Sequence, residues 1–205
     1  KDIAGNDMSL AYLTVYEGKQ PTAYVADTTS PYLDWYDLDM DTGTLSLHFS
    51  ETINSFQLDV TELYIQEQAN RTNSTHPATG TNGTYYRLTS ASTKATSTPV
   101  PTLVVNLGAT DMHAIKLMDM VVASSDDKTW LTFSSSLVKD MSALELDIEP
   151  AVNGLGAMNV VSFTPDTTPP TLVSYILDMD ARTLSLVFDE PVRANTLLVT
   201  YLTLQ

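Results

Sequence analysis

Residues 27–66 read DTTSPYLDWYDLDMDTGTLSLHFSETINSFQLDVTELYIQ, and residues 166–205 read DTTPPTLVSYILDMDARTLSLVFDEPVRANTLLVTYLTLQ. The two stretches align without a gap at an offset of 139 residues and agree at 21 of 40 positions. A fixed internal period of this kind marks one structural unit repeated along an array, so the period is the domain. Lys1-Asp2-Ile3-Ala4-Gly5-Asn6 lines up with Lys139-Asp140-Met141-Ser142 shortly before the next boundary, and Asp27-Thr28-Thr29 and Asp166-Thr167-Thr168 close the two stretches. The expected organisation is the C-terminal part of a preceding repeat at 1–26, one complete repeat at 27–165 and the N-terminal part of a following repeat at 166–205. On that expectation the 205 residues are a window of a longer chain.

Within the repeat, apolar residues fall at every second position: Leu45, Leu47 and Phe49, then Leu58 and Val60, then Leu63 and Ile65 after a change of register. Period two is the pattern of a strand with one buried face. The same reading fits 32–38, 85–88, 103–105, 130–133, 144–148 and 160–163, with Asp, Asn, Gly, Ser, Thr and Pro between them. Asp41-Thr42-Gly43 reads as the tight turn joining the first two strands. Residues 110–118 break the alternation: Ala114, Ile115 and Met118 share a helical face and Thr110 is the expected N-cap, which predicts one short helix. Many short strands, little helix and a domain-sized period predict an all-β fold, an antiparallel Greek-key sandwich in tandem repeats.

Three short motifs bear on this. Phe49-Ser50-Glu51-Thr52-Ile53, repeated as Phe188-Asp189-Glu190-Pro191-Val192, resembles the FSEPV strand end of bacterial Ig-like repeats. Asp2-Ile3-Ala4-Gly5-Asn6 resembles the D-x-x-G-N element that such repeats carry late in the domain, and Asp166-Thr167-Thr168-Pro169-Pro170 resembles their inter-domain linker. Asp140-Met141-Ser142-Ala143-Leu144 departs from the second motif by lacking its Gly-Asn. The resemblance implies an Ig-like sandwich used as a spacer or contact module in long surface proteins, adhesins and extracellular fibres, not as an enzyme. Pro31 and Pro169-Pro170 fit a stiff linker, since proline fixes φ, extends the preceding residue and offers no ladder donor.

The net charge of −15, from 10 Lys+Arg against 25 Asp+Glu, argues against nucleic acid and anionic membrane as partners and favours cations. The chain has no Cys, so it uses neither disulfides nor thiolates, and it has no apolar run long enough to span a bilayer. Asp27, Asp39, Asp41 and Glu51 persist in the second copy as Asp166, Asp178, Asp180 and Glu190. Hard oxygen ligands near a domain joint suit Ca²⁺, which takes about 6–8 oxygens. The competing reading is local: Asp at a hairpin turn, or before Thr-Thr-Pro, bonds its own backbone. Asn70, Asn73 and Asn82 open three N-x-Ser/Thr sequons, consistent with a glycoprotein, and 89–98 reads as a flexible polar loop compatible with O-glycosylation.

Catalytic motifs are not apparent. His48, His76 and His113 lack metal-ligand spacing, and no H-E-x-x-H, G-x-S-x-G or P-loop occurs. His48 is expected to point outward from its strand, opposite Leu47 and Phe49. Trp35, Trp130 and the ten Tyr are expected to fill the core or pair across strands. The expected role is a structural repeat of an extracellular or cell-surface filament, appendage or stalk, contacting neighbouring repeats and other copies of itself. The alternative is an adhesion module that binds carbohydrate or a partner protein through 67–101.

Overall fold

A computed structural model of the chain describes residues 3–4, 21–69, 85–118 and 122–203. The repeated stretch forms a hairpin of β1 (Leu33–Asp39) and β2 (Thr44–Ile53). Its apolar alternation is converted directly into burial: Tyr36, Leu38, Leu45, Leu47 and Phe49 face inward. A register shift between Leu33 and Trp35 lets Leu33 and Tyr36 both face the core. The turn closes as its residue types require. Asp39 Oδ1 accepts the amides of Asp41 at 2.8 Å and Thr42 at 2.9 Å, and Gly43 occupies the left-handed region at φ +68.

The remaining elements are β3 (Tyr64–Gln66), β4 (Tyr85–Arg87), β5 (Thr93–Lys94), β6 (Val100–Asn106), α1 (Ala109–Lys116), β7 (Trp130–Thr132), β8 (Met158–Asn159), β9 (Ser162–Thr164), β10 (Leu172–Asp178) and β11 (Thr183–Phe188). They form one sheet in the order β5-β6-β2-β1-β9, a second in the order β4-β3-β7-β8, and the separate hairpin β10-β11. The first two sheets share one core. Tyr36, Leu45 and Leu47 from one, Ile65 and Leu131 from the other, and Ile115 from α1 belong to a single buried cluster. Burying each such side chain contributes roughly 1.5–3 kcal/mol before entropy is subtracted. The Tyr36 hydroxyl crosses between layers to donate to the Thr129 carbonyl at 2.8 Å.

The fold is all-β with one short helix, and it departs from the sequence reading in five places. Residues 58–63 are not a strand: Asn54 and Asp59 accept the amides of Phe56 and Thr61, and these side-chain caps fold the chain into two short 3-10 turns ahead of β3. Residues 144–148 make only an isolated bridge, Lys139 to Asp147, because a turn at 142–145 puts Glu145 at φ +49. The N-cap lies two residues earlier than expected, at Gly108 rather than Thr110. A Cβ on Gly108 would lie 2.1 Å from the Ala91 carbonyl oxygen, so only glycine permits that approach. Residues 89–98 are tied down rather than free: Thr89 and Ser92 bond Asp111, and the Thr96 hydroxyl accepts the Val104 amide.

The fifth departure is topological. β9 pairs with β1 in parallel, Asp37 opposite Ser162, Leu38 opposite Phe163 and Asp39 opposite Thr164, while every other ladder among the described residues is antiparallel. β1 follows Pro31 and β9 precedes Pro169-Pro170. Since they run side by side in the same direction, the chain enters the module at one end and leaves at the other, separated by about 20 Å of strand.

Candidate functional site

The second copy of the hairpin reproduces the first in detail. Leu172 pairs with Phe188, Tyr175 with Leu186 and Asp178 with Thr183, each 139 residues beyond its counterpart, and the register shift recurs between Leu172 and Ser174. Asp178 Oδ1 accepts the Ala181 amide as Asp39 does that of Thr42, and the 3-10 turns recur at Ala194–Thr196 and Val199–Tyr201. What differs is the surroundings. Tyr36 is 0% exposed and Tyr175 59%, because β10-β11 lacks among the described residues a second sheet to cover its apolar face.

The two copies meet at a built joint. Asp41 Oδ1 accepts the amides of Thr167 at 2.9 Å and Thr168 at 3.0 Å, and their hydroxyls at 3.3 and 2.9 Å. These bonds, the Thr167 amide foremost, hold the Asp41 carboxyl below the usual range. Beside it, Lys116 at the end of α1 places Nζ 2.7 Å from Asp166 Oδ2 and in contact with Glu190 Oε2. Burial alone would lower the lysine's pKa, but the two carboxylates outweigh it and the ammonium is held above its usual value. The lysine at the end of α1 thus bridges Asp166, before β10, and Glu190, after β11. Around it Met40, Ile115, Phe163, Pro165, Pro170 and Pro191 line a shared cleft.

The eight acidic residues singled out from the sequence therefore do not form one site. Asp39 and Asp178 cap their own hairpin turns. Asp41 holds the linker, and Asp166 and Glu190 bind Lys116. Asp180 is exposed on the second turn. Asp27 and Glu51 lie at the opposite, entry end of the module, where their carboxylates and that of Asp140 fall within 4.8 Å of one another, a group able to hold a metal ion. Burial, then the charges of Asp27 and Asp140, push the Glu51 carboxyl up.

Sequence reasoning missed Lys116 and Asp140. The first stood inside a helix read only for its apolar face. The second stood at the head of Asp140-Met141-Ser142, which marked a boundary and a departure from the D-x-x-G-N element but was not read for its carboxylate. Sequons Asn70, Asn73 and Asn82 lie outside the described residues.

His48 points outward as its alternation requires. Its ring stacks on Trp35 at 4.6 Å and 15°, Nε2 lies 3.3 Å from Asp37 Oδ2, and Nδ1 lies 3.2 Å from Thr102 Oγ1. The order Thr, His, Asp is that of a hydrolase triad, but these residues sit on the flat outer face of paired strands. Thr102 is in register opposite His48, so the three side chains meet as a cross-strand contact between β1, β2 and β6. Trp35 is thus on the surface, whereas Tyr36 and Tyr86 are in the core. No described helix is long and apolar enough to cross a membrane. Comparison of the chain with protein-family models, curated proteins and solved structures gave no match.

Proposed function

We propose that this chain is a structural module of a head-to-tail array, working as a spacer in an extracellular or cell-surface filament, appendage or stalk. The observation that carries this reading is the joint: Asp41 and Lys116 of one module grip Asp166, Thr167, Thr168 and Glu190 of the next copy. Entry and exit at opposite ends, from the parallel β1-β9 pair, make successive modules extend rather than fold back. The exposed apolar face of β10-β11 fits the start of a third module, whose own second sheet would cover it as β3 and β7 cover the first hairpin. Under this proposal the module has an Ig-like sandwich architecture and performs no catalysis. Its partners are neighbouring repeats and other copies of the chain.

Small-angle scattering tests the array directly. β2 is ten residues long and spans about 33 Å at roughly 3.3 Å per residue. Duplicating residues 27–165 within the chain should lengthen the particle by at least about 30 Å, in keeping with that strand length. An unchanged maximum dimension would defeat the proposal. Adhesion through 67–101 has less support, since the described stretch 85–101 of that segment supplies strands to both sheets.

A further inference from the structure

We infer that the acidic cluster at the entry end, Asp27, Glu51 and Asp140, is a socket for the ammonium group of a preceding copy of this module, supplied by the counterpart of Lys116. The inference rests on the array reading and names the partner of that end. Two independent observations carry it.

The first is internal equivalence. Asp27 and Glu51 stand 139 residues before Asp166 and Glu190, and in the later copy both of those carboxylates bind one ammonium, that of Lys116. The rest of the joint follows the same offset, because Thr28 and Thr29 are the counterparts of the Thr167 and Thr168 that Asp41 holds. The exit end, Asp41 with Lys116, is therefore complementary to the entry end, Asp27-Thr28-Thr29 with Glu51.

The second is an orphaned acceptor. Asp140 is 1% exposed; its Oδ1 accepts the Ser142 hydroxyl at 3.0 Å and the Leu146 amide at 2.8 Å, whereas Oδ2 is buried with no hydrogen-bond partner among the described residues. A buried carboxylate oxygen without a partner is costly unless a donor completes it. The isolated bridge between Ile53 and Asp140 holds this residue against the end of β2, two residues from Glu51. An open depression lined by Tyr24, Asp27, Glu51, Thr52, Met141 and Ser142 leads to the cluster. A lysine ammonium has three donors and no acceptor. Two are used by the pair seen at Lys116; Asp140 supplies an acceptor for the third.

The experiment uses the full 205-residue chain with residues 27–165 present twice in succession, treated with a zero-length carbodiimide and mapped by mass spectrometry. A cross-link from Lys116 to Glu51, Asp27 or Asp140 is expected. It should disappear with Lys116→Gln in the first copy and survive Lys116→Gln in the second. Cross-linking of Lys116 to Glu190 or Asp166 in the same sample, with none to the entry cluster, overturns the inference. So does a melting temperature of the unduplicated chain that rises with added Ca²⁺, falls with chelator and loses that response in Asp140→Asn, which would make the cluster a metal site. Scattering of the duplicated chain reads the array separately, so an elongated particle without the cross-link sinks the socket alone.

Discussion

Asp111 is a fully buried acid that makes no ion pair among the described residues and is kept in place by four donors. The Tyr86 hydroxyl, the Thr89 amide and hydroxyl and the Ser92 hydroxyl approach its carboxylate at 2.5–3.1 Å. Burial pushes its pKa up, but the Ser92, Thr89 and Tyr86 bonds together outweigh burial and hold it below the usual range. The stability it contributes is thus present above the ordinary carboxylate range and is lost as pH falls through the lowered value. Asp111→Asn should cost about 2–3 kcal/mol at neutral pH and flatten the acid limb of the stability curve, as read by urea unfolding across pH. Gly43 is simpler: a Cβ there meets only ordinary contacts, at 3.5 Å, so Gly43→Ala is disfavoured by its φ of +68 alone. That change should cost roughly 1 kcal/mol. Arg182 occupies the equivalent position at φ +58, so Arg182→Gly should relieve the second hairpin; a loss of protection of its ladder amides in hydrogen exchange would contradict this. At Glu51 the sign is reversed. Its raised pKa means that the ionised cluster opposes folding above that value and the opposition fades as pH falls through it. Glu51→Gln should raise the melting temperature of the chain at neutral pH, with the gain shrinking in acid.

At the scale of elements, the hairpin was the most legible part of the sequence, because alternation, turn residues and the second copy all specify the same pairing. The short helix was legible from its apolar face, but its start was not: the close approach of Ala91 to Gly108 is a tertiary constraint that no local pattern carries. Residues 58–63 were misread for a different reason. Alternation there coexists with Asn54 and Asp59, and side-chain bonds to Phe56 and Thr61 amides won over extension. The acidic positions were visible, and their division between turn caps and joint was not, since it depends on which end of the module each strand reaches. The linker supplies the test at this scale. Asp41→Ala should leave the β1-β2 ladder protected while the Thr167 and Thr168 amides become rapidly exchanging; unchanged protection of those two amides would show that Asp41 does not hold the joint.

For the whole molecule, the contrast between the two hairpins is the main fact. Corresponding residues form the same register twice, yet Leu172, Tyr175 and Leu177 are exposed where Leu33, Tyr36 and Leu38 are buried. Register is thus set locally by bulge, turn and alternation, whereas burial needs the rest of the module. A chain ending at residue 165 should bind markedly less of an apolar dye such as ANS than the full 205 residues; equal binding would mean that the face of β10-β11 is not the exposed apolar surface. The placement of β9 beside β1 has a mechanical consequence. If the two ends of a module are pulled apart, these parallel neighbours are drawn in opposite directions along their length. The Val161 amide on the Tyr36 carbonyl and the Met40 amide on the Thr164 carbonyl are then strained together rather than unzipped in turn. In the proposed array, the ladder that sets its direction would also carry its tension.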